Sequence, residues 1–192
     1  MAGRRPGQAS GRPAAIPTRQ REIKPMTQYS EHREFILECH RLAIQAGEKG
    51  NHTFGAVLVY EGQIVARAEN TVNTDDDQFQ HAEYRLVHQA RRELTEEVVR
   101  QSTLYTSTEP CFLCAASILM AGIPCVVYSV GYESFGRILP PDRRYIAIEE
   151  VAQRLRPETE IIGPVLEEEG MKVYQYWGGE FAPLEELLRR FA

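Results

Sequence analysis

The stretch Pro110-Cys111-Phe112-Leu113-Cys114 organises the reading of this chain. Its two cysteines are three residues apart. If a helix starts here, positions i and i+3 share a face, so both sulfurs reach one ion. Pro110 suits the start of such a helix, where its missing N–H costs nothing. The positive end of the helix dipole also favours thiolates. Thirty residues upstream stands His81-Ala82-Glu83. His81, Cys111 and Cys114 make three zinc ligands, and three protein ligands plus water is the catalytic arrangement. Were His81 and Glu83 both helical, they would lie about 200° apart around the axis, which makes Glu83 a poor fourth ligand. Glu83 is better placed beside a metal-bound water, as general base and then general acid.

Two other readings stay open. A C-x-x-C can be a redox pair, or half of a structural zinc site. The first normally sits in a thioredoxin-like βαβ unit. The second needs a fourth ligand, for which Cys39 and Cys125 are the candidates.

The remaining chain reads as a mixed α/β pattern. Apolar residues recur at helical spacing from Ser30 to Gly47. Phe54–Tyr60 and Gln63–Ala68 form a hairpin about Glu61-Gly62. The loop 71–80 carries Asp75, Asp76 and Asp77, read as solvated rather than metal-binding. A helix follows from His81 to about Leu94, with His88 as a packed or solvated residue. Then come a strand (Thr103–Ser107), an almost wholly apolar helix (Cys111–Ala121) closed by Gly122, and a strand (Cys125–Val130). Strand–helix–strand units after an antiparallel hairpin imply a mixed sheet with helices on both faces. Past Gly131 the pattern weakens. Short elements are expected at 148–155, 161–164 and 171–176, and a last helix at 184–191. Tyr174, Tyr176 and Trp177 are expected to pack against the domain or a partner subunit.

Composition narrows the function. The chain has 192 residues and a net charge of −5. Residues 1–27 are expected to be a disordered basic tail. Six cations and one acid there leave about −10 for residues 28–192, the expected domain, whose C-terminal extension starts at about 135. An acidic domain argues against nucleic acid, unless the tail is a basic arm. The four cysteines do not suggest a disulfide framework. No apolar run spans a membrane and no secretory leader is evident, so the cytoplasm is expected.

H-x-E followed by P-C-x-x-C is the signature of zinc deaminases. The ordered set Phe54-Gly55-Ala56-Val57-Leu58-Val59, Glu69-Asn70, His81-Ala82-Glu83, Ser107-Thr108-Glu109-Pro110-Cys111 and Cys125-Val126-Val127-Tyr128 extends it. Over about residues 30–135 the chain resembles the cytidine deaminase-like superfamily, in its nucleobase and tRNA adenosine deaminase branch. Within it, the motifs look closest to bacterial guanine deaminases. The resemblance implies a three-layer α/β/α sandwich with a mixed sheet of about five strands, one Zn2+ per subunit, and hydrolytic loss of ammonia from a ring. It implies Glu83 as proton shuttle and substrate contacts from Asn70, Phe54, Gly55, Ala56 and Glu109. A homodimer and a small nucleobase substrate, guanine-like, are expected. The alternatives are a tRNA adenosine, a cytosine or a nucleoside. Tyr84 and Phe112 depart from the family's usual smaller residues, and their bulk is expected to reshape the pocket. Glu133 and Asp142 are the candidates for the C-terminal acid that guanine deaminases use.

Overall fold

Along β1 (Gly55–Tyr60) the side chains alternate between two buried layers. Ala56 and Leu58 pack with one set of helices, and Val57 and Val59 with the other. That period of two is what a strand covered on both faces produces. The structure is a computed structural model that describes residues 30–141 and 144–190. The tail at 1–27 and Asp142 lie outside the described residues.

Five strands form one sheet in the order β2-β1-β3-β4-β5. β2 (Gln63–Glu69) and β3 (Thr103–Thr108) run antiparallel to β1. β4 (Cys125–Val130) is parallel to β3, and β5 (Glu160–Ile162) is parallel to β4. α1 (Arg33–Glu48) covers one face through Phe35, Ile36, Cys39 and Leu42. α2 (Ala82–Glu93), α4 (Phe112–Ala121) and α6 (Ile148–Leu155) cover the other. This is the expected three-layer sandwich.

Some boundaries move. α1 starts at Arg33 after a short 3-10 turn, with His32 as its N-cap rather than Ser30. α3 (Glu96–Arg100) is an added helix, capped where the Thr95 side chain accepts from the Val98 N–H. The C-terminal segment folds into α5 (Tyr132–Phe135), a 3-10 turn, α7 (Glu167–Met171), a second 3-10 stretch (Lys172–Gly179) and α8 (Leu184–Arg190). These pieces form a third apolar cluster from Phe135, Met171, Val173, Tyr174 and Leu187 at the sheet's C-terminal end.

Gly55 has no room for a side chain. A Cβ there would sit 2.5 Å from the Cys39 carbonyl oxygen and 2.6 Å from Leu42 Cβ, so glycine lets α1 lie directly on β1. Cys39 is thus a core residue of the α1 layer, as is Leu42.

His40 is 6% exposed, and its Nε2 lies 2.8 Å from Ser129 Oγ. Burial lowers its pKa to about 4, against a weaker opposing pull from Glu169. The unfolded chain therefore binds the extra proton first as pH falls. Stability from this group is complete above about pH 6.5 and is lost as pH falls towards 4, by roughly 3 kcal/mol. We expect the stability difference between wild type and His40→Gln to shrink by about that amount between pH 7 and 4 in denaturant titrations. A pH-independent difference would contradict it.

Candidate metal centre and active site

Two sequence-distant segments meet at one end of the sheet. β3 ends at Thr108, and Glu109-Pro110 leads into Cys111, the N-cap of α4, with Cys114 in its first turn. His81 is the N-cap of α2 in extended conformation, and Glu83 is the second residue of that helix. His81 being outside the helix, the 200° argument for Glu83 does not apply. What separates their roles is that His81 turns off the helix start while Glu83 points into the interior.

His81 Nδ1 lies 3.5 Å from Cys111 Sγ and 3.6 Å from Cys114 Sγ. The three ligand atoms fall within 4.8 Å of one another. Tetrahedral zinc with ordinary Zn–S and Zn–N bonds needs an N···S separation of about 3.6 Å. The residues present therefore fit zinc. Among the described residues, this is the one group of three or more such side chains. Cys39 and Cys125 are not in it, so no described fourth cysteine closes a structural site. Asp75 and Asp77 instead serve the loop, accepting from Thr71 Oγ1 and from the Phe79 N–H.

The thiols divide their charge unequally. A hydrogen bond from Cys114 is the main cause holding Cys111 down to about 4, helped by His81 against burial. The same bond, with burial, pushes Cys114 up. A divalent cation held here would replace that shared proton, with both cysteines as thiolates.

Glu83 is 5% exposed, and its Oε1 accepts from Thr106 Oγ1 at 2.7 Å. Burial raises its pKa, and the Thr106 bond opposes that. Thr106 faces this way because it alternates with Tyr105, which packs under α1. The sequence reading missed Thr106, although that alternation was a usable signal.

A cavity of about 1000 Å³ opens from this cluster. Phe54, His81, Glu83, Glu109, Cys111 and Phe112 line it, whereas Gly55, Ala56 and Asn70 do not. The Gly55 N–H donates to Ser107 Oγ at 3.1 Å, and the Ala56 side chain lies in the core. Asn70 is fully buried behind Phe54: its N–H donates to the Phe54 carbonyl and its Oδ1 accepts from the Val72 N–H. Its Nδ2 is buried with no partner among the described residues. Glu133 is exposed and does not line the cavity. Glu180, which the sequence reading did not single out, does line it. Tyr84 lies in a separate polar groove with Arg85 and His88, so its bulk does not reshape the cavity.

Tyr174 and Trp177 also line the cavity, beside His52, Phe54 and Phe135. They thus wall the cavity as well as packing against the domain. Phe54 meets Trp177 edge-on at 5.4 Å, and His52 stacks on Trp177 at 4.8 Å. Tyr174 hydroxyl bonds Thr108 Oγ1 at 2.7 Å. Tyr176 turns away to Phe181.

Glu109 lines the cavity and is also tied to the backbone around it. Its carboxylate is 4% exposed, and both oxygens accept backbone N–H groups: Oε2 from Tyr132 at 3.0 Å and Oε1 from Ile148 at 3.2 Å. It clasps both ends of the segment that walls the cavity. An amide there leaves at least one N–H without an acceptor. We expect Glu109→Gln to destabilise by about 1–3 kcal/mol and to speed hydrogen exchange at Tyr132 and Ile148, with zinc retained. Unchanged exchange at both amides would refute the clasp.

Residues 29–130 match the cytidine and deoxycytidylate deaminase zinc-binding region. A "Probable cytosine deaminase" of Schizosaccharomyces pombe is 30% identical over 155 residues, covering 76% of this chain and 91% of that protein. A structure from work on A-to-I editing by tRNA:A34 deaminases at the wobble position of transfer RNA superposes with a TM-score of 0.62 at 26% identity, covering 73% of this chain and 99% of that one. Guanine deaminase from Bacillus subtilis superposes with a TM-score of 0.51 at 27% identity, covering 59% and 78%. Motif order, sheet topology and a cysteine–histidine cluster of zinc geometry agree with these likenesses, and the chain belongs to the cytidine and deoxycytidylate deaminase family of zinc-binding hydrolytic deaminases.

Proposed function

We propose that this protein removes the amino group of a small nucleobase-type ring by hydrolysis, with guanine-like rings favoured. The observation that carries the reading is the site itself: three ligand atoms at zinc separation, a buried carboxylate beside them, and an aromatic cavity opening from both. His81, Cys111 and Cys114 would hold the zinc, which when bound would supply an activated water. Glu83, the buried carboxylate beside them, would accept a proton from the attacking water and return it to the departing amine, so that a C–NH2 bond and water become C=O and ammonia. Thr106 holds the carboxylate in place for both transfers. Phe54 offers an edge to the ring, and the unpaired Asn70 Nδ2 lies buried behind it, where a substrate would reach it only past the Phe54 side chain. Glu180 is a candidate acid for a guanidine-like edge, in place of Glu133.

The acidic charge outside the tail and the apolar cavity favour a small molecule over tRNA. The test is ammonia release by zinc-loaded protein from free bases, nucleosides and a tRNA anticodon stem-loop. Turnover of a small ring supports the proposal. Turnover of the stem-loop alone overturns it.

A homodimer belongs to the same proposal. α4 carries no charged residue, yet Phe112 is 58% and Met120 83% exposed on its outer face. Phe112 also lines the cavity, so a second copy there would adjoin the site. We expect a dimer by light scattering and a monomer for Met120→Glu. A monomeric wild type would refute the interface. Among the described residues no helix is long and apolar enough to cross a membrane. The free thiols suit a reducing compartment, and we place the protein in the cytoplasm.

A further inference from the structure

The cavity is too large for the ring alone. At about 1000 Å³ it stands at the upper end of the range that accommodates drug-sized ligands. A free base has only a handful of heavy atoms, and it must lie at the inner end with its amino carbon at the zinc cluster. The ring nitrogen that bears the sugar in a nucleoside lies away from that carbon and has the rest of the cavity beside it.

Away from the metal-binding residues the described lining is mainly apolar. Ile138, Leu139, Pro140, Pro141, Ile146 and Leu187 belong to it, and none carries a polar side-chain atom. Tyr132 and Tyr145 stack at 4.3 Å, nearly parallel, and also form part of the wall. The charged side chains of the lining outside the metal end, Arg144, Glu180 and Arg190, are all exposed. A free base would leave this apolar wall facing water. Ribose hydroxyls placed there would lose hydration and meet few partners. An apolar group would displace that water and gain on burial.

We propose that the outer half of the cavity is a subsite for an apolar, ring-sized substituent. The substrate is then an aminated heterocycle carrying such a group on the ring nitrogen that bears the sugar in a nucleoside, rather than a free base. This rests on the deaminase reading above and narrows its substrate class.

The experiment compares ammonia release by the zinc-loaded full chain from cytosine, adenine and guanine. Each is tested as free base, as riboside and as its N-benzyl derivative at the same ring nitrogen, with an anticodon stem-loop alongside. For at least one ring we expect kcat/KM of the benzyl compound to exceed that of the free base by about 10–100-fold, and to exceed that of the riboside. Ile146→Glu and Leu139→Glu, at the outer wall, should reduce the benzyl-to-base ratio towards one. A free base or riboside turned over as well as every benzyl compound overturns the subsite, as does turnover of the stem-loop alone or a ratio unmoved by both wall variants. Silence from every compound would instead defeat the deaminase reading. Calorimetric binding of the same compounds to Glu83→Gln protein then reads the subsite without turnover: benzyl compounds binding more tightly than free bases uphold it, and equal binding overturns it.

Discussion

Glu83→Gln abolishes turnover and leaves zinc in place. The substitution keeps size and one acceptor for Thr106 Oγ1, so the buried pocket stays filled. It removes the group that carries the proton. General acid–base catalysis contributes about 10²–10⁴-fold per transfer, and in the proposed mechanism Glu83 serves both the water and the departing amine. The expected loss in kcat is therefore at least about 10³-fold, with zinc content by atomic absorption unchanged. Zinc lost together with activity would make Glu83 a ligand. Activity retained would place the proton transfer on another group. Burial raises the Glu83 pKa, which suits a group that must both accept and return a proton near neutral pH.

Cys114→Ser removes the metal and with it both activity and stability. Cys114 is fully buried at the first turn of α4, and its sulfur is one of the three ligand atoms. A serine hydroxyl does not ionise as readily and is a poorer zinc ligand. Wild type should carry one zinc per chain and the variant close to none. Metal binding stabilises the folded state by mass action, about 4 kcal/mol at a thousandfold excess over Kd. A chelator should therefore lower Tm in wild type and leave the variant's Tm unmoved. Stoichiometric zinc in Cys114→Ser would refute the ligand set.

The metal end is legible in the sequence because its chemistry tolerates few residue types at few spacings. Spacing pairs Cys111 with Cys114 on one helix start, and the resemblance to zinc deaminases makes His81-Ala82-Glu83 their complement. The strands are legible for a different reason: Ala56, Val57, Leu58 and Val59 must alternate between two layers. The roles of Tyr174 and Trp177 are hidden. They lie some 60 residues beyond Cys111 in a stretch of 3-10 turns, where no periodicity marks a face. Gly55 is ambiguous because an invitation to close approach looks the same in sequence whether helix or ligand accepts it. Here α1 does. The Glu109 clasp is hidden for a related reason. A buried acid next to a metal motif suggests substrate, and its backbone partners at Tyr132 and Ile148 are far ahead in the chain.

The Glu109 clasp also bears on how such a site changes its taste. One carboxylate ties off the stem of a loop from Tyr132 to Ile148, two residues before the first metal-binding sulfur. Once the stem is tied, the loop's length matters little: doubling a flexible loop costs only about 0.6 kcal/mol in closure entropy. Residues between the knots are free to be lengthened, swapped or grafted without disturbing the metal. The scaffold thus separates a fixed reaction from an exchangeable selectivity cassette, and the knot is what keeps the two apart.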